Sequence, residues 1–482
     1  MRRLLMVLYY FPPSGGPGVQ RGLKFARYLP EFGWRPHVLT VPATSDFPVR
    51  DETLLAEVPD GLAVTRARCP EFYGLYRALT GQRGVASLDI ESMSRAERRP
   101  ARRALRWLRA AAFIPDGRVA WIPFAVRAGT RLSETPGYDA IFSSGPPFTC
   151  HLIGRVLRRR TGKPWVADYR DPWTQAPFYP RRPGFARRID ERLEEACLRE
   201  ADASVVVGGE MARSFREGRP GLDAGALEVI PNGYDEADFA GVPFGDAGLF
   251  RMTHTGSLFL GRIPHALFSA LERLTREEPE WAGRARLCFA GRVDRELRAR
   301  LAAPPLAAQA EWPGYLPHAE SVALLRRSQL LLLLIGSDAQ SRGMLTGKIY
   351  EYLAAGVPIL ALGPRDGDAA RLLERTGAGW IHEPEDEQGI RDRLRTLWRA
   401  WRASREGAEA GAAAMASRAP EAGGDGDASR AGPAGPDAAM PERLERAGLS
   451  ARAGEIARYS RRALTGELAR LLDRCAGGRD RG

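Results

Sequence analysis

At 482 residues, with 44% hydrophobic and 27% charged side chains, the chain exceeds what one hydrophobic core usually holds and reads as two globular domains and a tail. No run of about 18 apolar residues is present, which excludes a membrane-spanning helix. Five widely spaced cysteines, without CxxC pairs or histidines at ligand spacing, argue against a disulfide framework or zinc site and fit a reducing cytosol, while a charge of +12 leaves nucleic acid, a membrane surface or an acidic substrate as partners.

The start, MRRLLMVLYYFPPSGG, has the arginines and apolar run of a short signal peptide but no small-residue cleavage site, and it reads as a first strand entering a glycine loop. LLMVLYY, FPPSGGPGVQ, RGLKFARYLPEFGW and RPHVLTV are strand, loop, helix and strand, one βαβ unit. Gly16, Gly18 and Gly22 miss the dinucleotide GxGxxG spacing by one residue and no acid closes HVLTV, which argues against a nicotinamide site. Gly15, Gly16 and Gly18 keep this loop low, either for a bound diphosphate or a second domain, or as a plain tight turn.

Between Arg95 and Leu132, ten arginines face only Glu97 and Asp116, so +8 of the net charge lies in one segment. Within it Arg102, Arg103, Arg106 and Arg109 share one helical arc, opposite Ala104, Leu105, Leu108, Ala111 and Ala112, with Trp107 at the border. Such a helix either lies on anionic lipid or packs its apolar side on a core. No aromatic platform or DNA-reading motif accompanies the arginines, so nucleic acid is not an expected partner.

YDAIFSSGPPFTCHLIGRVLRRRTGKPWVADYRDPW is a second βαβ unit, ASVVVGG and LEVIPNGYD close the first domain, and EADFAGVPFGDAGLF is a linker. The second domain alternates FRMTHTG, a helix after Ile263, RLCFAGR, a helix near Ala319 to Arg327, LLLLLIG, the stretch TGKIYEYLAAG, and PILALG, which is a doubly wound α/β pattern. In TGKIYEYLAAG, Thr346 is placed to cap a short helix through its hydroxyl and Gly347 to let a ligand near the backbone; Gly356 and Pro358 stop the helix. Ile349, Tyr352 and Leu353 form its packing face, with Lys348 and Glu351 on the other. A parallel sheet holds ligands beyond the carboxyl ends of its strands, so Gly336 to Lys348 is the expected binding loop, and the helix start suits a phosphate. From about Ala403 to Pro441 the composition becomes Ala, Gly, Pro and Ser and cannot bury enough to fold, after which Leu464, Leu468 and Leu471 mark a last amphipathic helix.

In order and spacing, FPPSGGPGVQRGLKFARYLPEFGWRPHVLTV, SSGPPFTCHLIG, VADYRDPW, VIPNGYD, HTGSL, FAGR and above all TGKIYEYLAAGVPIL resemble the retaining, nucleotide-sugar-dependent glycosyltransferases of the family-four type. The resemblance covers nearly the whole chain except the segment around Cys69 to Arg99 and the low-complexity tail. It implies the GT-B fold, two Rossmann-like doubly wound domains facing across a cleft: 1–240 on the acceptor side, 250–402 binding the nucleotide sugar, a low-complexity disordered segment 403–441, and a return helix in 442–475.

It also implies roles. Glu351 holds the nucleotide ribose, as an acid accepting two hydroxyl hydrogen bonds does; an i, i+3 pair with Lys348 is the competing reading. Where the family often carries a second glutamate, this chain has Gly343, so either backbone amides from Gly343 through Met344 to Leu345 contact the donor sugar, or the sugar differs, or activity is lost. The diphosphate falls to Gly256, Ser257 and Arg262, with Lys348 as a second cation and Arg342 as a third clamp or a solvated arginine. Gly291 belongs to the same donor-binding set. His151 either contacts the donor sugar or is a buried capping histidine. Asp168, Arg170 and Asp171 either orient donor or acceptor or form an ion-paired loop. Without a DxD motif no metal is required, and the nucleotide diphosphate sugar, of UDP or GDP type, is a co-substrate. The expected acceptor is a glycan or lipid-linked precursor at the inner face of the cytoplasmic membrane. A catalytically inactive binding or scaffold protein is the alternative.

Overall fold

The computed structural model describes residues 1–70, 110–111, 113–134, 136–176, 179, 182–218, 227–245, 248–256, 258, 263–416, 445, 448–449 and 451–477. The basic arc of residues 102–109, Ser257, Arg262 and most of the low-complexity segment lie outside the described residues. The chain divides into two compact units, Met1–Gly233 with Arg461–Gly482, and Tyr234–Ser460.

The first unit is built on strands β1 (Arg2–Leu8), β2 (Trp34–Thr40), β3 (Ala63–Arg66), β4 (Ala140–Gly145), β5 (Trp165–Tyr169), β6 (Ala203–Val206) and β7 (Leu227–Val229), in the order β3-β2-β1-β4-β5-β6-β7. All pairings are parallel. Its central strands are buried on both faces, which is why LLMVL and AIFSSG read as runs rather than alternations. Helix α1 (Pro17–Tyr28) crosses from β1 to β2; α2 (Ile122–Leu132), α3 (Thr149–Thr161), α4 (Gly184–Glu200) and α5 (Gly209–Glu217) follow. Strand order reverses between β1 and β4, so the loops after these two strands flank the switch point.

The second unit has strands β8 (Phe250–Thr255), β9 (Ala285–Ala290), β10 (Ala310–Gly314), β11 (Leu330–Leu334), β12 (Ile359–Leu362) and β13 (Gly379–His382), ordered β10-β9-β8-β11-β12-β13 and again parallel. Its helices are α6 (His265–Glu277), α7 (Pro279–Arg284), α8 (Arg295–Leu301), α9 (His318–Arg326), α10 (Gly347–Ala355), α11 (Asp368–Thr376), α12 (Glu387–Ala416) and α13 (Ala453–Ala457). One core contains Leu267, Leu271, Trp281, Ile390, Leu394 and Trp398; the other contains Val322, Ile349, Tyr352, Leu353, Leu372 and Ile456. Helix α12 runs to Ala416, past residue 402, because alanine, glutamate and arginine are good helix formers.

The chain returns to the first unit as α14 (Arg461–Gly477), whose Leu464, Leu468, Leu471 and Leu472 are buried in the same core as Val19 and Leu23 of α1. This is the GT-B architecture: two parallel Rossmann-like sheets, with the carboxyl-terminal helix docked on the amino-terminal one. Among the described residues no helix is long and apolar enough to cross a membrane.

Candidate active site

In the second sheet the switch point lies between β8 and β11. Their register pairs, Met252 with Leu330 and Thr253 with Leu331, stop short of the carboxyl ends of both strands. Beyond them side chains take over. The Thr255 N–H donates to the Tyr352 hydroxyl at 3.0 Å, and that hydroxyl lies 3.5 Å from the Leu332 carbonyl. His254 Nδ1 is 2.9 Å from the same carbonyl. A carbonyl only accepts, so Nδ1 carries the proton and Nε2 is a buried acceptor without a protein partner. Burial first, then the Lys348 ammonium, push the His254 pKa down to about 3, so the ring is neutral at physiological pH.

Just beyond β8, Gly256 has φ 103°, and a Cβ there would collide with Lys348 Cε and Nζ. Lys348 therefore lies directly over the Gly256 backbone. Gly291, after β9, has φ 139° and packs so tightly that a Cβ would strike the Gly256 carbonyl. These two positions demand glycine for backbone and space alike. The next strand, β10, ends at Gly314, followed by Tyr315, whose side chain is 85% exposed. The adjacent carboxyl ends of β8, β9 and β10 thus lead from Gly256, beneath Lys348, through Gly291 to Gly314 and the exposed Tyr315.

The start of α10 corrects one expectation. Thr346 is the N-cap by position, but its hydroxyl makes no capping bond and its Oγ1 is buried without a partner. The first turn is left without a side-chain cap, as an anion site requires. Gly347 is exposed and a Cβ there would meet nothing within 4 Å, so the backbone approach is open but does not depend on glycine. Glu351, half-buried one turn later, lies close enough to Tyr352 to help raise its hydroxyl pKa to about 12, an effect dominated by burial.

In the preceding loop Asp338 caps a short 3-10 turn, Ala339–Gly343, by accepting from the Ser341 N–H and hydroxyl. The Met344 N–H donates to the Ser341 carbonyl and the Leu345 N–H to the Gly343 carbonyl, so two of the amides expected to serve the donor sugar are engaged within the loop. Arg342 pairs with exposed Asp366 at 3.2 Å. A cavity of about 380 Å³ opens at the carboxyl ends of β11 and β12 beside the first turn of α6, where the start of the expected binding loop, Gly336 and Ser337, lines it together with Ser269 and Glu385. Among the described residues no group of three histidine, cysteine or acidic side chains is arranged to hold a metal.

The first unit changes the reading of four predicted residues. Asp168 is fully buried, accepting from Arg21 Nε and Nη2 and from the Ser144 hydroxyl at 2.7 to 3.1 Å. Arg21 in turn holds the carbonyls of Ile230 and Pro231. This is a core ion pair, not a ligand arm. Arg170 donates to the carbonyls of Gly18, Gly145 and Pro146, tying together the loops after β1 and β4. Asp171 is half-buried; desolvation raises its carboxyl and Arg170 lowers it. His151 is 0% exposed in the first turn of α3, with Nδ1 2.9 Å from the Ser143 hydroxyl and its ring 4.3 Å from that of Tyr169. Ser143 Oγ accepts from Trp165 Nε1 and so has its own hydrogen for His151 Nδ1. Burial pushes the His151 pKa down to about 3, and a Cβ on Gly145 would sit 2.8 Å from Nε2. The ring is thus enclosed and neutral, as a buried capping histidine is. Gly15 donates to the Val49 carbonyl, Gly16 caps α1, and the Gly18 carbonyl is held by Arg170, so these three shape the switch point of the first sheet.

Residues 18–238 match the family model Glycosyltransferase Family 4, and residues 255–400 match Glycosyl transferases group 1. The chain belongs to glycosyltransferase family 4. Such an enzyme uses nucleotide-sugar donors, and it shares its fold with solved relatives of low identity. Anabaena Alr3699/HepE, crystallised with UDP, aligns at TM-score 0.56 and 14% identity over 98% of this chain and 100% of its own. The lipopolysaccharide outer core galactosyltransferase WaaB aligns at 0.51 and 11% over 99% and 100%, and sucrose-phosphate synthase from Thermosynechococcus elongatus at 0.56 and 12% over 99% and 100%. No curated protein matches. His254 and Tyr352 make polar contacts at the end of β8 that the sequence pattern did not single out. The signal was a histidine one residue before the strand end at a glycine loop, and a tyrosine read only as packing.

Proposed function

We propose that this glycosyltransferase moves a sugar from a UDP- or GDP-linked donor, with retention and without a metal, to a lipid-linked or surface-polysaccharide precursor at the inner face of the cytoplasmic membrane. The observation that carries the donor reading is Lys348 lying over Gly256 beside the uncapped start of α10. A leaving diphosphate gains negative charge as the glycosidic bond breaks, and a cation with first-turn N–H groups stabilises that charge more in the transition state than in the ground state. Glu351, one turn on, is the ribose acceptor, and the carboxyl ends of β8, β9 and β10 lead the base toward Tyr315. Arg262, the cation that the resemblance implies first, joins Lys348 on the diphosphate. The Anabaena HepE structures with UDP and with UDP-glucose support a uridine donor. No side chain stands out as a covalent nucleophile, so attack comes from the face the leaving group departs from.

Thermal shift with a panel of nucleotide sugars tests the donor. A UDP or GDP sugar should raise Tm in the wild type and not in Lys348→Ala, since losing a charge-assisted contact of about 1.5–3 kcal/mol lowers affinity roughly tenfold or more. Stabilisation that survives Lys348→Ala would remove the assignment. The enclosure of His151 together with Gly343 favours a second reading, a binding protein without turnover. Slow hydrolysis of any nucleotide sugar by the wild type, lost in Lys348→Ala, contradicts that reading.

A further inference from the structure

Helix α4 has two unlike faces. Ala186, Asp190, Glu194, Cys197 and Leu198 are buried, whereas Phe185, Arg188, Ile189 and Arg192, at i, i+3, i+4 and i+7, are all exposed. Phe185 is 52% and Ile189 43% exposed, and among the described residues they are the one pair of large exposed hydrophobics a single helical turn apart. The acids of α4 are engaged elsewhere: Asp190 with Arg182, Glu191 with Arg187, Glu194 with Thr174, Glu195 with Arg199, and Glu200 with Arg155 and Arg159. Among the described residues no ion pair is formed by Arg188 or Arg192. Directly before the helix, Arg182 donates to the carbonyls of Ala110, Phe113 and Pro115. Ala110 and Phe113 therefore lie beside the segment that enters α4.

We propose that the Phe185, Arg188, Ile189 and Arg192 stripe docks the enzyme on an anionic lipid surface; this rests on the membrane reading above and assigns it a place. The arginines meet lipid phosphates while the two apolar side chains enter the headgroup boundary. A lipid surface fits better than a protein partner, because a stable protein interface needs about 800 Å² per side, and two apolar residues on a convex helix fall far short. A fluid bilayer conforms to that convexity.

The test is cosedimentation of the full chain with phosphatidylcholine vesicles and with vesicles of equal parts phosphatidylcholine and phosphatidylglycerol. The wild type should bind only the anionic vesicles. Phe185→Ser with Ile189→Ser, and separately Arg188→Gln with Arg192→Gln, should each lower binding about tenfold or more, while Arg295→Gln with Arg298→Gln, removing the same charge from the second unit, should not. Anionic binding undiminished in both α4 variants, or an equal loss in the control, overturns the assignment to α4 and leaves the membrane reading standing. Failure of the wild type to bind either vesicle overturns both.

Discussion

Two buried histidines give the protein a definite pH dependence. His151 and His254 are both held near a pKa of about 3, against about 6.5 when unfolded, so between these values the unfolded chain binds more protons than the native one. Their stabilising contribution is complete above pH 6.5 and is lost as pH falls toward 3, with a slope of up to about 1.4 kcal/mol per pH unit for each ring. His151→Gln with His254→Gln should flatten the fall in Tm between pH 6.5 and 5; an unchanged slope would contradict the neutral assignment. Asp168 behaves differently. Asp168→Asn leaves Arg21 charged and buried in the core, where breaking such a pair costs about 3–5 kcal/mol, so denaturant unfolding should show a large loss while nucleotide affinity of the folded protein stays the same. A loss of nucleotide affinity at unchanged stability would return Asp168 to the site. The sequence reading of VADYRDPW weighed a ligand role against an ion-paired loop, but the partner, Arg21, sits 147 positions away and no local pattern announces it.

At the scale of elements, α10 was legible almost to the residue, because its packing face, glycine stop and flanking strands depend on short-range periodicity. The hydroxyl of Thr346 was not, since whether a cap residue bonds its own helix depends on a rotamer that tertiary packing selects. For His151 the sequence left a sugar contact and a buried capping role both open, because CHLIG can be read as helix but enclosure by Tyr169 and Trp165 comes from a neighbouring strand. Helix α14 is the element whose position is most consequential for the first unit. Leu468→Ala should cost about 2–5 kcal/mol, because the cavity would open between α14 and α1 where Leu23 and Leu29 are also fully buried. Calorimetry would register a lowered first transition; an unchanged scan would mean that α14 is not docked in solution as described.

At the scale of the whole molecule, the alternation of strands and helices was enough to foresee two doubly wound units and a returning helix, since parallel sheets and right-handed crossovers leave few other topologies. What the pattern could not supply was the wiring at the two switch points. In the first sheet Arg170 braces two loops while Asp168 and His151 lie in the core, the second of the two readings that the sequence left open for them. In the second, Lys348, Gly256, Gly291 and the open start of α10 converge as a donor site would. The central claim is therefore that a nucleotide diphosphate sugar binds at the β8 and β11 switch point. Isothermal calorimetry of UDP and GDP with the wild type, Lys348→Ala and Glu351→Ala tests it most directly. Saturable binding of one nucleotide, weakened about tenfold or more by either substitution, is the expected result; a wild type that binds neither nucleotide, or binding indifferent to both substitutions, would contradict it.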